Sequence, residues 1–587
     1  MNACSYVGRV GGLALALGVG AAVLGGTAAA WAEDDSPAAT TSQSRSASAE
    51  TRSAPAAAGT GRQSVAAGPA RSVKRTPSAA AAPSAAAAPL GVRASAAVRS
   101  SAAVQIVDTA PLASSPALVE PLSAQPLALA ATAATQPLIL GPSGVPIPSA
   151  DYVNKVMQYY VVPNSPGGAL TPQVVFTPEG LYPITGVKSL PLNTSVDQGL
   201  TILSNTLALL PGGTQTTIFG YSQSAIIGSL LQKEGNPEVP PTIPENLRDT
   251  ISFVFVGNEM NPNGGFLSRF PGLDLPSLGL QFYGATADNA YPTTNYTREY
   301  DGFADFPRYP LNFLSVLNAG MGIVYVHTKY APGAGCQTFC LTEQEVVDAI
   351  PLPSTSPTQN YFFMPTEDLP LLQPLRLLPL IGNPLADLIQ PVLKVIVDLG
   401  YADPAHGFAT ATQPPANLQV PFGLFPDVSP MEVLSRLVDG VGQGVSDFIA
   451  AFGPTGSIAR ELSAIALPAL PSPSDIIPVP TDPITAVQQW ITSTANGISA
   501  ALASLYSGFL PTADIVNALS ISLPAYDVAL ALEGVKQILS GDVIGGLVNA
   551  IGLPLAANIG LVTTASLVGA LVWAQSIAGI FGFTVGT

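Results

Sequence analysis

The chain has 587 residues, of which 10% are charged and 47% hydrophobic; an average soluble protein is ~25% charged. That length allows one large buried core with further modules beside it. Against 22 Lys and Arg stand 38 Asp and Glu, a net charge of −16, and no basic run exceeds Lys74-Arg75, which excludes nucleic acid as a partner.

Residues 1–32 read as an export signal. Arg9 lies in a short polar start, an apolar stretch runs from Val10 to about Ala29, and Ala30-Trp31-Ala32 gives the small-x-small pattern of a cleavage site before Glu33. An uncleaved anchor is the other reading of this stretch, and Cys4 leaves with a cleaved signal. Residues 33–134 are Ala, Ser, Pro and Thr with scattered Arg and no aromatic residue. Such a composition has little to bury and reads as a disordered linker holding the folded part away from a membrane or through a wall layer.

Order is expected from residue 135. Pro137–Leu140 reads as a strand, followed by the turn Gly141-Pro142-Ser143-Gly144, and Ala150–Val161 as a helix, because Val153, Val156, Met157 and Tyr160 recur at three- and four-residue intervals. Then come a helix at Val196–Leu210, a strand at Thr216–Phe219, a helix at Ser224–Gln232 and a strand at Ile251–Val256. Leu280–Tyr283, Thr297–Tyr300 and Ile323–Val326 are further candidate strands, the last two ending on Asp301 and His327. Strands alternating with helices predict an α/β fold with a mostly parallel sheet, over a domain spanning 135–428. Residues 429–587 show apolar helical patterns such as Met431–Val438, and no charged residue occurs after Asp542. Ile559–Phe583 is long enough to cross a bilayer, although Gly, Asn and Ala recur in it, and a packed helical module or lipid-contacting lid has the same appearance.

Gly220-Tyr221-Ser222-Gln223-Ser224 carries the chemistry. A nucleophilic serine on a sharp strand-to-helix turn needs small residues two places to either side, where strand and helix approach closely. The pentapeptide alone is weak in a chain this rich in Gly and Ser; the strand before it and the apolar helix after it supply the context. A serine hydroxyl also needs a base, and the base an orienting carboxylate. The chain has two histidines. His327 at a strand end is the expected base, whereas His406, in a loop between turn residues, is expected at the surface. The order nucleophile, acid, histidine places the acid between 222 and 327, where Asp301 is the first choice, Asp305 the alternative and Asp288 a distant third. The backbone N–H of Gln223, with a donor from Ser143, is the expected oxyanion hole. Cys336 and Cys340, an even pair in an exported chain, are expected to form a disulfide. No residue set is assigned to a metal, and no cofactor is implied.

Several segments resemble the PE-PPE domain family of mycobacterial serine α/β-hydrolases: Thr177–Leu190 (TPEGLYPITGVKSL), Gly220–Ala225 (GYSQSA), Phe255–Gly265 (FVGNEMNPNGG), Glu299–Asn312 (EYDGFADFPRYPLN), Tyr325–His327 (YVH) and Pro421–Val428 (PFGLFPDV). The resemblance implies an α/β-hydrolase fold related to cutinases and an esterase or lipase acting on acyl esters. It places the triad on Ser222, an aspartate of the EYDGFAD segment, and His327. Some relatives instead move acyl chains between trehalose glycolipids. An export signal and linker stand where the family's amino-terminal PE or PPE module would be, so that module's partners and secretion route are not carried over. A non-catalytic envelope lipid-binding protein is the competing reading from another class, supported by the weakly charged carboxy-terminal third. A lipid or acyl ester is the expected partner molecule, with a membrane or envelope surface met through residues 429–587.

Overall fold

The computed structural model describes residues 135–165, 171–233, 243–288, 291–332, 336, 340–464 and 482–581. The export signal and the linker read from the sequence lie outside them.

The elements alternate as expected. Strand β1 (Thr135–Ile139) leads to helix α1 (Ala150–Val156), which runs on through a π-turn to Val161. Ser149 caps α1, its hydroxyl accepting from the Tyr152 N–H. There follow β2 (Gln173–Val174), α2 (Leu192–Ala208), β3 (Gln215–Tyr221), α3 (Gln223–Gln232) and β4 (Ile251–Val256). A small hairpin, β5 (Asp274–Leu275) with β6 (Leu280–Gln281), stands apart from the main sheet. Next come β7 (Thr293–Arg298), α4 (Phe313–Tyr325), β8 (Ile350–Pro351), β9 (Gln359–Met364) and α5 (Gly382–Asp398).

The main sheet has seven strands in the order β2-β1-β3-β4-β7-β9-β8, all parallel except β8, which runs antiparallel at the edge. Side chains alternate across a strand, so Ile218, Phe253 and Phe255 enter one core with α2 and α3, while Phe219, Tyr221, Val254 and Val256 enter the other with α1 and its π-turn. Both faces are covered, which is why these strands read as continuous apolar runs. This is an α/β-hydrolase sheet.

Three expectations are corrected. Ile323–Val326 is not a strand but the end of α4 and the residue after it; a short apolar run has no periodicity that separates strand from buried helix. Gly322 shows why this helix fits: a Cβ there would lie 1.8 Å from the Tyr300 carbonyl oxygen, so the helix packs directly on the loop after β7. The strand expected at Thr297–Tyr300 begins earlier, at Thr293, and leaves Asp301 on the following turn. Leu280–Tyr283 supplies only the short β6, outside the main sheet.

The carboxy-terminal residues form α6 (Pro430–Ala450), α7 (Pro483–Asn517), α8 (Leu523–Leu539) and α9 (Val543–Ile580), with a π-turn over Ala518–Ser522 joining α7 to α8. Helix α6 lies on α5, where Arg436 reaches Asp398 at 3.0 Å. Helix α9 folds back on α7, with the Trp573 indole N–H donating to the Thr512 hydroxyl at 2.9 Å. The group docks on the α/β domain: Leu567 meets α4 at Gly320, Gly560 meets Phe270, and Ser277 donates to the Asp514 carbonyl at 2.8 Å. Pro483–Leu539 and Val543–Ile580 are long and apolar enough to cross a membrane by length and composition; Ala556, Ala557 and Leu561 of α9 are instead buried in the core of the α/β domain.

Candidate active site

Ser222 follows β3 directly and precedes α3, with φ 58° and ψ −127°, a conformation costing about 1–3 kcal/mol outside glycine. The sequence permits it locally. A Cβ at Gly220 would lie 2.6 Å from the Ser224 carbonyl oxygen, so the strand approaches the helix more closely than any side chain allows. Ser224, where a glycine would also fit, closes the turn: its hydroxyl accepts from the Tyr221 N–H at 2.8 Å and donates to the Tyr221 carbonyl at 3.1 Å.

The structure brings Ser222, His327 and Asp301 together. Ser222 Oγ is 2.8 Å from His327 Nε2, and His327 Nδ1 is 2.9 Å from each oxygen of Asp301. His327 opens a single 3₁₀ turn after α4, and Asp301 stands beyond the end of β7, so the site assembles at the carboxyl ends of parallel strands. Asp301 is fully buried, and its carboxylate also accepts from the Phe303 and Ala304 N–H groups at 2.9 and 3.2 Å and from the Tyr330 hydroxyl at 2.8 Å. Burial pushes the His327 pKa down, but the charge and hydrogen bond of Asp301, with the nearby charge of Glu259, outweigh it and hold the imidazole above its ordinary value.

Asp305, the alternative acid, serves the other histidine. His406 is not at the surface as expected; it is buried, its ring stacked on Tyr401 at 4.1 Å, with Nδ1 2.9 Å from Asp403 and Nε2 3.0 Å from Asp305. Short turn residues around a polar loop look exposed in sequence, and although Asp403 is three residues away, nothing local reveals the distant Asp305 or the burial. Burial alone would lower the His406 pKa, yet Asp403 and Asp305 raise it well above the ordinary value. Asp288 lies elsewhere, accepting from Ser356 at 2.6 Å and Asn417 at 2.8 Å.

Ser143 and Gln223 are neighbours: the Ser143 hydroxyl donates to Gln223 Oε1 at 3.2 Å, and the Gln223 amide donates to Ser195 at 2.6 Å. Cys336 and Cys340 are joined by a disulfide, their Cα atoms 5.7 Å apart.

Sequence reasoning missed Glu259. Its Oε1 accepts from the Ser222 hydroxyl at 2.9 Å and lies 4.0 Å from His327 Nε2, and its Oε2 is buried without a hydrogen-bond partner among the described residues. Burial pushes its carboxyl up to about 7, against the opposing effects of the His327 charge and the Ser222 hydrogen bond. Glu179, also buried, is pushed up by burial to about 8, with the Glu259 charge adding to the shift. Glu259 lies inside the segment FVGNEMNPNGG, but its role depends on contacts from β3 and the turn after α4, which no spacing announces.

Residues 168–402 match the family model of the PE-PPE domain. The PPE family protein PPE28 of Mycobacterium tuberculosis is 45% identical over 452 residues, covering 74% of this chain and 65% of that protein. Esterase PE16 of the same organism is 40% identical over 309 residues, covering 52% and 54%. Diacyltrehalose acyltransferase Chp2, again from M. tuberculosis, is 28% identical over 242 residues, covering 38% and 64%. The chain thus spans between about half and two thirds of the length of these relatives. With the sheet, the turn at Ser222 and these matches together, residues 168–402 are a PE-PPE domain on an α/β-hydrolase fold.

Proposed function

We propose that the protein is an exported serine esterase or lipase that cleaves acyl esters through an acyl-enzyme. Ser222 attacks the ester carbonyl while His327 Nε2 takes the hydroxyl proton, and Asp301 holds the imidazole in the right tautomer and stabilises the imidazolium. The N–H of Gln223 and a donor from Ser143 receive the oxyanion. When the tetrahedral intermediate collapses, His327 returns the proton to the departing alcohol. Water, deprotonated by the same histidine, then releases the acid. The observation that supports this reading most strongly is the hydrogen-bonded row from Ser222 through His327 to Asp301, at 2.8 and 2.9 Å. The similarity to an esterase adds to it. The export signal and the mycobacterial relatives support a place in the cell envelope.

A second reading keeps the acyl-enzyme but gives the acyl group to a sugar hydroxyl of a trehalose-type glycolipid. The similarity to a diacyltrehalose acyltransferase favours it, as does the burial of Ser222, which is 3% exposed and so little open to bulk water. The full chain incubated with p-nitrophenyl butyrate, and separately with acylated trehalose, tests both readings. Free acid that disappears with Ser222→Ala supports the hydrolase, and net transfer without free acid supports the transferase. A folded protein that does neither is the non-catalytic lipid binder.

A further inference from the structure

We propose that the carboxy-terminal helices complete an acyl-chain pocket for the reaction at Ser222, so that the preferred ester carries an extended fatty acyl chain. The proposal rests on the acyl-ester reading above and adds where the chain lies and what holds it.

Between the α/β domain and helices α7 to α9 lies a cavity, part of it open to solvent and lined by both; small-molecule sites are concave and mostly apolar, with a few polar groups. One end is polar and is lined by direct neighbours of the reacting residues. Ser143 and Glu259 line it there, Glu259 Oε1 being 2.9 Å from Ser222 Oγ, and Phe303 lines it with its ring 4.9 Å from that of His327. Away from that end the walls are apolar. Phe266, Phe282 and Leu280 form the hydrolase side, and Leu519, Leu561 and Val568 the helical side.

The polar groups at the helical wall are already engaged. Thr564 donates to the Gly560 carbonyl at 2.8 Å, and Tyr182, another lining residue, donates to Asp514. A ligand there gains nothing by offering further polar groups along its length. One polar pole beside the serine and a long apolar body fit a carbonyl followed by methylenes. The wall also contains the π-turn over Ala518–Ser522, where the helix departs from regular winding, as such turns often do at functional sites. Ala518 and Leu519 of this turn line the cavity.

The test is a series of p-nitrophenyl esters from butyrate to palmitate, read as kcat/KM on the full chain. In the wild type, kcat/KM rises about fourfold per added methylene until the chain fills the cavity, and then breaks. Ala565→Phe narrows the cavity from α9 and Leu519→Phe from the π-turn. In each variant whose thermal melt matches the wild type, the laurate-to-butyrate ratio of kcat/KM falls at least tenfold. A wild-type series that is flat from butyrate to octanoate, or ratios unmoved by both substitutions, overturns the pocket. If butyrate hydrolysis still vanishes with Ser222→Ala, that result leaves the esterase reading standing. Hydrolysis that survives Ser222→Ala defeats that reading, and the pocket falls with it.

Discussion

Glu259 Oε1 lies 2.9 Å from Ser222 Oγ, nearly as close as His327 Nε2, which is 2.8 Å from the same oxygen. The hydroxyl has one proton and two acceptors. When Glu259 is ionised it competes for that proton and opposes the negative charge that develops on the substrate oxygen. When it is neutral the proton is left to His327. Because burial pushes Glu259 up to about 7, both forms are populated near neutrality.

Glu259→Gln therefore changes the pH dependence rather than abolishing activity. The Glu259 charge helps to raise the His327 pKa, so removing it lowers that pKa. The acid limb of the kcat/KM profile moves to lower pH, and activity above pH ~8 is maintained or increased, since the competing carboxylate is gone. A limb that stays in place or moves upward would show that Glu259 does not act on the histidine.

Two aspartates four residues apart divide their work between two histidines. Asp301→Asn leaves His327 in the wrong tautomer, and kcat is expected to fall by about 10³–10⁴. Asp305→Asn removes the partner of His406 Nε2 and of the Tyr300 N–H; it lowers thermal stability while kcat stays within about tenfold of the wild type. Steady-state rates and melting curves on the two variants separate the roles, and the reverse ranking of kcat would reassign the acid.

His406 is raised well above its ordinary pKa by Asp403 and Asp305. A histidine whose folded pKa exceeds its unfolded value of about 6.5 binds protons more tightly in the folded state. Its contribution to stability is fully present below that unfolded value and is lost as pH rises through the folded pKa. Chemical denaturation of the wild type and His406→Gln at pH 6 and at pH 10 should give a larger stability difference at pH 6. A difference that grows with pH would mean that the histidine is held neutral.

Much of this was legible in the sequence where one face of the physics dominates. Runs such as Ile251–Val256 are apolar at every position because both faces of a parallel sheet are buried. The turn at Ser222 announces itself by small residues at 220 and 224 between a strand and a helix. The order of Ser222, Asp301 and His327 follows from the connectivity of the fold. What stayed hidden depends on long-range packing. Ile323–Val326 reads equally as strand or helix until Gly322 is seen against the Tyr300 carbonyl. Strand β9, next to β7 in the sheet, raised no expectation in its proline-rich surroundings. Asp305, the second partner of His406, and Ser222, the partner of Glu259, lie 101 and 37 positions away, distances over which no local pattern carries information.

The most direct measurement is reaction of the full chain with an alkyl fluorophosphonate, followed by mass spectrometry of the peptide containing Ser222. The expected result is one phosphonyl adduct on Ser222, formed more slowly in Asp301→Asn and absent in Ser222→Ala. A folded wild-type protein that takes up no label, or takes it up on another residue, would contradict the assignment of Ser222 as the nucleophile.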